Sequence, residues 1–383
     1  MTIAWQIYTQ ARLKSDIPHA AFAVGIVGLV QFASILALTL VGGETADRSD
    51  RRTVALVCMA VEAATATALA LLTWLGNSAI WPIYVVAACF GASRAFYYPS
   101  ITALGPMLVR RSLLPRAIAW NQLAYQAAAI LGPALGGLLC AVSISLSYST
   151  SFLLYFSAAL GLLVLGRQVR PDGLLGSRWS LVKEGVNYVW KNKIIFGAIS
   201  LDLFAVLFGG ATALLPVFAR DVLHVGALGF AVLRTSPAVG AAVVALFLSV
   251  RPIRRKAGAI MFGGVALYSL ATIVFALSNW IVTSTIALTV VGGADMLSVF
   301  IRQTLVQVGA PDAMRGRVAA ASTLFTGASG ELGQFESGLA ARFLGPVGAA
   351  LLGGAGALVV TGAWAKLFPD LRNADRLVPQ ERN

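Results

Sequence analysis

Apolar runs of bilayer length alternate with short polar breaks along almost the whole chain. They fall at residues 20–43, 53–76, 80–104, 117–142 and 145–166, and again at 194–219, 229–250, 258–277, 281–308, 317–343 and 345–368. A helix rising 1.5 Å per residue needs about 20 apolar residues to cross a hydrocarbon core ~30 Å thick, and each run is long enough. None shows the two-residue alternation of barrel strands, so each is predicted to be a helix that satisfies its own backbone. Residues 1–10 are apolar but amount to half a span before Arg12, Lys14 and Asp16 interrupt. They read as the closing half of a first helix, with the expected start about 15–30 residues upstream, a missing half-span plus a short basic lead. The predicted fold is an all-α integral membrane protein of two six-helix halves, eleven full spans plus the truncated first helix. Its parts are an N-terminal bundle at 1–166, a linker at 167–193, a C-terminal bundle at 194–368 and a tail at 369–383.

The linker carries Pro171, Gly173 and Gly176, then Val182, Val186 and Val189 at helical spacing, flanked by Trp179, Trp190, Lys183, Lys191 and Lys193. That pattern predicts a helix lying in the headgroup plane, apolar face toward lipid and lysines toward anionic headgroups, so membrane lipid is an expected partner. Composition agrees with a membrane protein: 58% of residues are hydrophobic and 12% charged, about half the charge a water-soluble surface of this size demands. Of 29 Lys and Arg, only Arg12, Lys14, Arg220 and Arg342 fall in the loops on one side of the predicted spans. The basic side is expected to face the cytoplasm, which puts the C-terminus there. The net charge of +13 thereby belongs to a membrane face and calls for no nucleic acid.

Cys58, Cys89 and Cys140 lie in three different runs without paired spacing, and His19 and His224 stand alone in loops. No metal site, cofactor or enzyme is expected: there is no phosphate-cradling glycine loop and no nucleophile elbow. The chemistry must reside in Glu62, Arg94, Asp202, Arg234, Asp295, Arg302, Glu331 and Glu336, ionisable residues inside predicted spans. Each costs about 3 kcal/mol at mid-bilayer. Asp202, Asp295 and Glu331 are the candidates for carrying a proton, because a buried carboxyl can be neutral in one state and charged in another; Arg94 and Arg302 are their candidate counter-charges. Arg234 and Arg302 read equally as packing pairs, and Glu62 as a structural or lipid-boundary residue. In the fifth helix Asn121, Gln122, Tyr125 and Gln126 cluster on one and a half turns. Gln122, Tyr125 and Gln126 are the candidates for lining a substrate cavity.

Between the second and third helices stands Gly-x-x-x-Asp-Arg-x-x-Arg-Arg, carried by Gly43, Asp47, Arg48, Arg51 and Arg52. It resembles the loop signature of the major facilitator superfamily of secondary transporters, although Asp50 replaces the usual glycine. On that resemblance Asp47 is expected to latch against the positive N-terminal end of the helix that opens with Gly316, Arg317 and Val318, the alternative being a solvated turn. Gly132-Pro133-Ala134-Leu135-Gly136-Gly137 resembles the helix-5 signature of the superfamily's proton-coupled exporters, the alternative being ordinary close helix packing. Blocks at 214–221, 295–299, 302–307, 311–318 and 331–338 are similar to the branch containing the enterobactin exporter and the transmembrane secretion effector family, with Gly330 where that branch usually has Asn. The resemblance implies a monomeric exporter of drug- or siderophore-like small molecules, exchanging protons and alternating access to a cavity between the halves. The alternative is a membrane receptor or scaffold that keeps the fold without coupled transport.

Overall fold

The structure, a computed structural model, describes residues 1–76, 79–110, 113–165, 178–251, 253, 255–309 and 312–374. Its helices are α1 (Thr2–Ala11), α2 (Ile17–Arg48), α3 (Arg51–Trp74), α4 (Trp81–Leu104), α5 (Leu114–Val142), α6 (Ile144–Val164), α7 (Arg178–Lys191) and α8 (Lys193–Phe208). There follow the single turn α9 (Leu215–Val217), then α10 (Gly226–Val250), α11 (Ala257–Leu277), α12 (Ile281–Gly309), α13 (Asp312–Leu367) and α14 (Pro369–Arg372). Nine stretches among the described residues are long and apolar enough to cross a bilayer, and those residues contain no strand.

Polar side chains start the helices where the backbone leaves amides unpaired. Asp16 accepts from the His19 amide at the head of α2, Asp50 from the Arg52 amide at the head of α3, and Asn192 from the Ile194 and Ile195 amides at the head of α8. Asp50, which stands where the resembled loop signature has glycine, therefore works as a helix cap. The charged stretch from Gly43 to Arg52, expected as a loop, is almost entirely helical: α2 continues through Arg48, α3 opens at Arg51, and only Ser49 and Asp50 intervene. Charge alone does not end a helix, and the Glu44–Arg48 pair at 2.8 Å, one turn apart, supports the extension.

Two interruptions shape the later helices. In α13 the backbone turns at Gly345 (φ 72°), followed by Pro346, so residues 312–344 and 346–367 run as separate arms. A positive φ is open to glycine, and proline cannot continue the amide ladder. The span opening with α8 breaks into a 3₁₀ stretch at Gly210–Leu214, the turn α9 containing Pro216, and a π-helical turn at Phe218–Val222. That last turn carries Arg220 and Asp221.

The helices sort by their packing into two groups. In the first, α2 and α3 pack on α4, α3 on α6 and α5 on α6; in the second, α10 and α11 pack on α12, and α8 and α11 on α13. The groups meet along two helix pairs, α2 with α13 and α5 with α10. A buried polar chain holds α1 to the first group: Tyr148 donates to Gln6 (2.7 Å), and Gln6 donates to Thr73 (2.8 Å).

The linker helix α7 differs from its expected setting. Val189 is buried against Ile195, Ile199, Val306 and Val318, with Val186 packed at its edge, so the apolar face covers α8, α12 and α13 instead of lying on lipid alone. A valine stripe cannot distinguish a lipid surface from a protein one, and here the neighbouring helix ends were nearer. Trp190 is exposed and its ring packs on Phe196 at 4.9 Å. Residues 166–177 and the side chains of Trp179, Val182 and Lys183 lie outside the described residues.

Candidate functional site: a charged interface between the two helix groups

The α2–α13 seam is built on small residues. A Cβ on Gly28 would stand 2.7 Å from the Glu331 carbonyl oxygen, and one on Gly25 2.8 Å from the Gly338 Cα, so the backbones run in direct contact. This close approach fixes Glu331 at the seam, 8% exposed. Its Oε1 accepts from the Arg94 guanidinium of α4 at 2.8 Å and its Oε2 from Gln334 at 2.9 Å. Arg94 and Glu331 belong to different groups, and both sit well inside their helices. About half of the Arg94 side chain is accessible. Arg234 of α10 is likewise exposed and acts electrostatically on the same carboxylate. Glu331 thus pairs with one cation and lies within electrostatic reach of a second on another helix.

Of the remaining charged candidates, Asp202 of α8 and Arg302 of α12 pair at 3.1 Å within the second group, with side chains only 5% and 4% exposed. Asp295 lies a helical stretch earlier on α12, half-buried and within electrostatic reach of both. Tyr268 of α11 faces the same carboxylates and donates to the Gly209 carbonyl at 3.1 Å. Glu62 is buried at 4% exposure between helices and accepts from Ser93 at 3.0 Å. The lipid-boundary option for it is therefore corrected: α4 and α6 both pack on α3 and cover that face.

A second set of contacts closes one end of the bundle. Arg12, just past α1, reaches Asp221 with two nitrogens, Nε to Oδ2 at 3.3 Å and the terminal nitrogen to Oδ1 at 3.2 Å. Tyr8 donates to the same carboxylate, and Arg220 donates to the Thr9 carbonyl at 3.4 Å. Trp5 stacks on Phe230 of α10 with ring centroids 5.4 Å apart, and Arg342 of α13 lies 5.0 Å above the Phe22 ring of α2. The Asp221 hydrogen bonds hold Arg12 firmly in its charged form, above its ordinary pKa. Beside this closure opens a shallow cleft of about 510 Å³ lined by Trp5, Thr9, Gln10, Leu13, Arg220, His224 and Gly226. The sequence treated Arg12 and Arg220 only as loop charges; the signal for a site was Asp221 at the end of the block at 214–221.

The residues of the Gly43–Arg52 stretch fall into separate tasks. Arg48 pairs with Glu44 on its own helix. Arg51 donates to the Ala46 carbonyl, and Arg52 donates to the Leu162 and Leu163 carbonyls, both at 2.7 Å. Arg52 so serves the orphan carbonyls that end α6. Gly43 is buried. The side chains of Asp47 and Arg317, on which the latch expectation rests, lie outside the described residues. So does the Gln122 side chain, while Tyr125 is exposed and Gln126 half-buried on α5. Of the helix-5 motif, Gly137 makes the contact: a Cβ there would meet Ala231 of α10. Gly136 faces Met1, whose sulfur would lie 3.6 Å from its Cβ; Gly132 has nothing within 4 Å, and Pro133 lies inside α5. Among the described residues no group of three His, Cys, Asp or Glu could hold a metal.

Residues 2–334 match the family signature described as Major Facilitator Superfamily. Among curated proteins the chain is 29% identical over 342 residues to the multidrug efflux pump Tap of Mycobacterium bovis (strain BCG / Pasteur 1173P2), covering 83% of this chain and 78% of that one. It is 26% identical over 306 residues to the enterobactin exporter EntS of Citrobacter koseri, covering 78% and 72%. Among solved structures it resembles a POT family transporter in complex with 5-aminolevulinic acid, with a TM-score of 0.71 at 13% identity, covering 97% of this chain and 93% of the other.

Proposed function

The chain belongs to the Major Facilitator Superfamily of multi-pass membrane transporters, and from that premise we propose that it exports drug- or siderophore-like small molecules by proton antiport with alternating access. The observation that carries the reading is the Arg94–Glu331 pair at 2.8 Å, a charge contact inside the membrane that joins the two helix groups. A contact of that kind must break or be exchanged when the groups rock, so its partners are placed to sense both the conformational state and the contents of the cavity. The Arg12–Asp221 closure supports the same picture, because among the described residues it ties the groups together at that end. With the basic loops in the cytoplasm, that end faces outward, and its closure fits an inward-facing state, in which an exporter loads its cargo. The C-terminus is then cytoplasmic and the membrane is the bacterial inner membrane. The kinship with Tap and EntS favours efflux over uptake. A proton moving through ~100 mV releases about 2.3 kcal/mol before any pH difference, enough for a bias of more than ten-fold.

The purified full chain in sealed liposomes, with ethidium and enterobactin as separate probes, tests this. An imposed pH gradient is expected to drive uphill movement of at least one probe, and a protonophore to abolish it. Movement that ignores the gradient, or none in protein shown to be folded, defeats the reading.

A further inference from the structure

Glu62 is an intramembrane charge to which neither helix packing nor the Arg94–Glu331 contact gives a task. It lies near the middle of α3, 4% exposed, and its described hydrogen bond comes from a neutral donor, the Ser93 hydroxyl at 3.0 Å. Ser93 also donates to the Cys58 carbonyl at 3.3 Å, so the hydroxyl is held by α3 on two sides. A carboxylate buried against a single neutral donor is costly as an anion and settles as the acid unless a cation comes to it. The ionisable groups that act on Glu62 are Arg94 and Tyr97 from α4, Tyr155 from α6 and Cys58 on α3 itself. Arg94 is the cation among them, next to Ser93 in the chain, and its guanidinium is held by Glu331 across the seam. Glu62 and Tyr268 also occupy the same register in the third helix of each group, so the carboxyl stands where the second group has a neutral hydroxyl facing Asp202 and Asp295.

We propose that Glu62 is a proton-binding site of this transporter and that Arg94 sets its occupancy by exchanging between Glu331 and Glu62. With Arg94 on Glu331, the Glu62 carboxyl keeps its proton. A cationic group of a substrate entering the cavity takes over Glu331, and Arg94 turns to Glu62. The Glu62 O–H bond then breaks, and its proton leaves to water in the cavity as the carboxylate pairs with Arg94. The charge added by one cationic group is balanced by one proton released, which is the stoichiometry of antiport for a monocation. Loss of the substrate reverses the exchange, and Glu62 takes up a proton from whichever side the cavity then faces. This deepens the proton-antiport reading above and rests on it for its role in transport, but site occupancy can be measured without transport.

Infrared spectra of the full chain in lipid at neutral pH report the C=O stretch of protonated carboxyls. E62Q should remove one such band from the wild-type spectrum, E62D should keep it at a shifted position, and E331Q, which frees Arg94, should lower it several-fold. With ethidium as the added cation, the wild type should release about one proton into a weakly buffered solution with a pH dye, E62D should still release, and E62Q should release at least five-fold less. An E62Q spectrum identical to wild type, an E331Q spectrum with the band undiminished, or equal proton release by E62Q and wild type would each overturn the proposal. Failure of pH-driven transport with the Glu62 band present and responsive to E331Q would instead remove the antiport reading and leave the proton site standing.

Discussion

Between Gly137 and Ala231 there is no room for a methyl group: a Cβ on Gly137 would fall 1.9 Å from the Ala231 Cβ and 2.9 Å from its Cα. Gly137→Ala is expected to push α5 from α10 and to destabilise the protein by about 1–3 kcal/mol, the usual cost of overpacking. Adding Ala231→Gly should recover most of the loss, and Gly132→Ala, where nothing lies within 4 Å, should stay within ~0.5 kcal/mol of wild type. Denaturation midpoints in detergent check all three. The Asp202–Arg302 pair gives a second residue-scale expectation. Arg302→Met strands a carboxylate in a site where both side chains are almost inaccessible, and a cost of about 3–5 kcal/mol is expected. The double variant Asp202→Leu with Arg302→Met should regain most of that stability; a double variant as unstable as the single one would show that the pair is not the cause.

At the scale of elements, the Asp221 end is closed by α1 against a π-helical turn. π turns lodge where the regular ladder is interrupted, and Pro216 interrupts it here. The turn directs Arg220 and Asp221 toward α1, so one carboxylate collects Tyr8 and Arg12 together. Hydrogen bonds to a charged group contribute about 1.5–3 kcal/mol each, so Asp221→Ala should shift the closed-to-open balance of this end by ten-fold or more. Spin labels at Leu13 and Leu228, both exposed, should report a new long-distance population in that variant. The exchanged pair Arg12→Asp with Asp221→Arg should return the population toward the closed one. An unchanged distance distribution in Asp221→Ala would mean that the Trp5–Phe230 stack and the α2–α13 seam hold this end without it.

For the whole molecule, the proposed arrangement in the membrane rests on which loops carry the Lys and Arg. Single cysteines at Lys256 and Asn373 should react only with a membrane-impermeant thiol reagent supplied from the cytoplasmic side, and one at Leu13 only from outside. The background needs Cys89 replaced, because it is exposed, whereas Cys58 and Cys140 are buried. Labelling of Leu13→Cys from the cytoplasm would invert the orientation and with it the identification of the inward-facing state.

The sequence by itself determined the membrane class, the run of apolar helices and the break before the last one, because each follows from a local requirement. About 20 apolar residues span the hydrocarbon, and Gly345 with Pro346 ends a helix whatever surrounds it. The predicted run at 258–277 and the observed α11 (Ala257–Leu277) differ by one residue for that reason. The same local reasoning made a loop of the Gly43–Arg52 stretch, since polarity says where the bilayer ends but not where a helix does. Which charges meet was decided only by tertiary structure. Arg94 and Glu331 are 237 residues apart, and Tyr8 lies 213 from Asp221. Glu62 reads from the sequence as a structural or a lipid-boundary residue, and only the packing of α4 and α6 on α3 removes the second option. One residue of helix rotation turns a side chain by about 100°, from lipid to cavity or from cavity to a neighbouring helix. That angle is set by the packing of surfaces distant in sequence, the glycine seam of α2 and α13 above all, and no local pattern of residues encodes it.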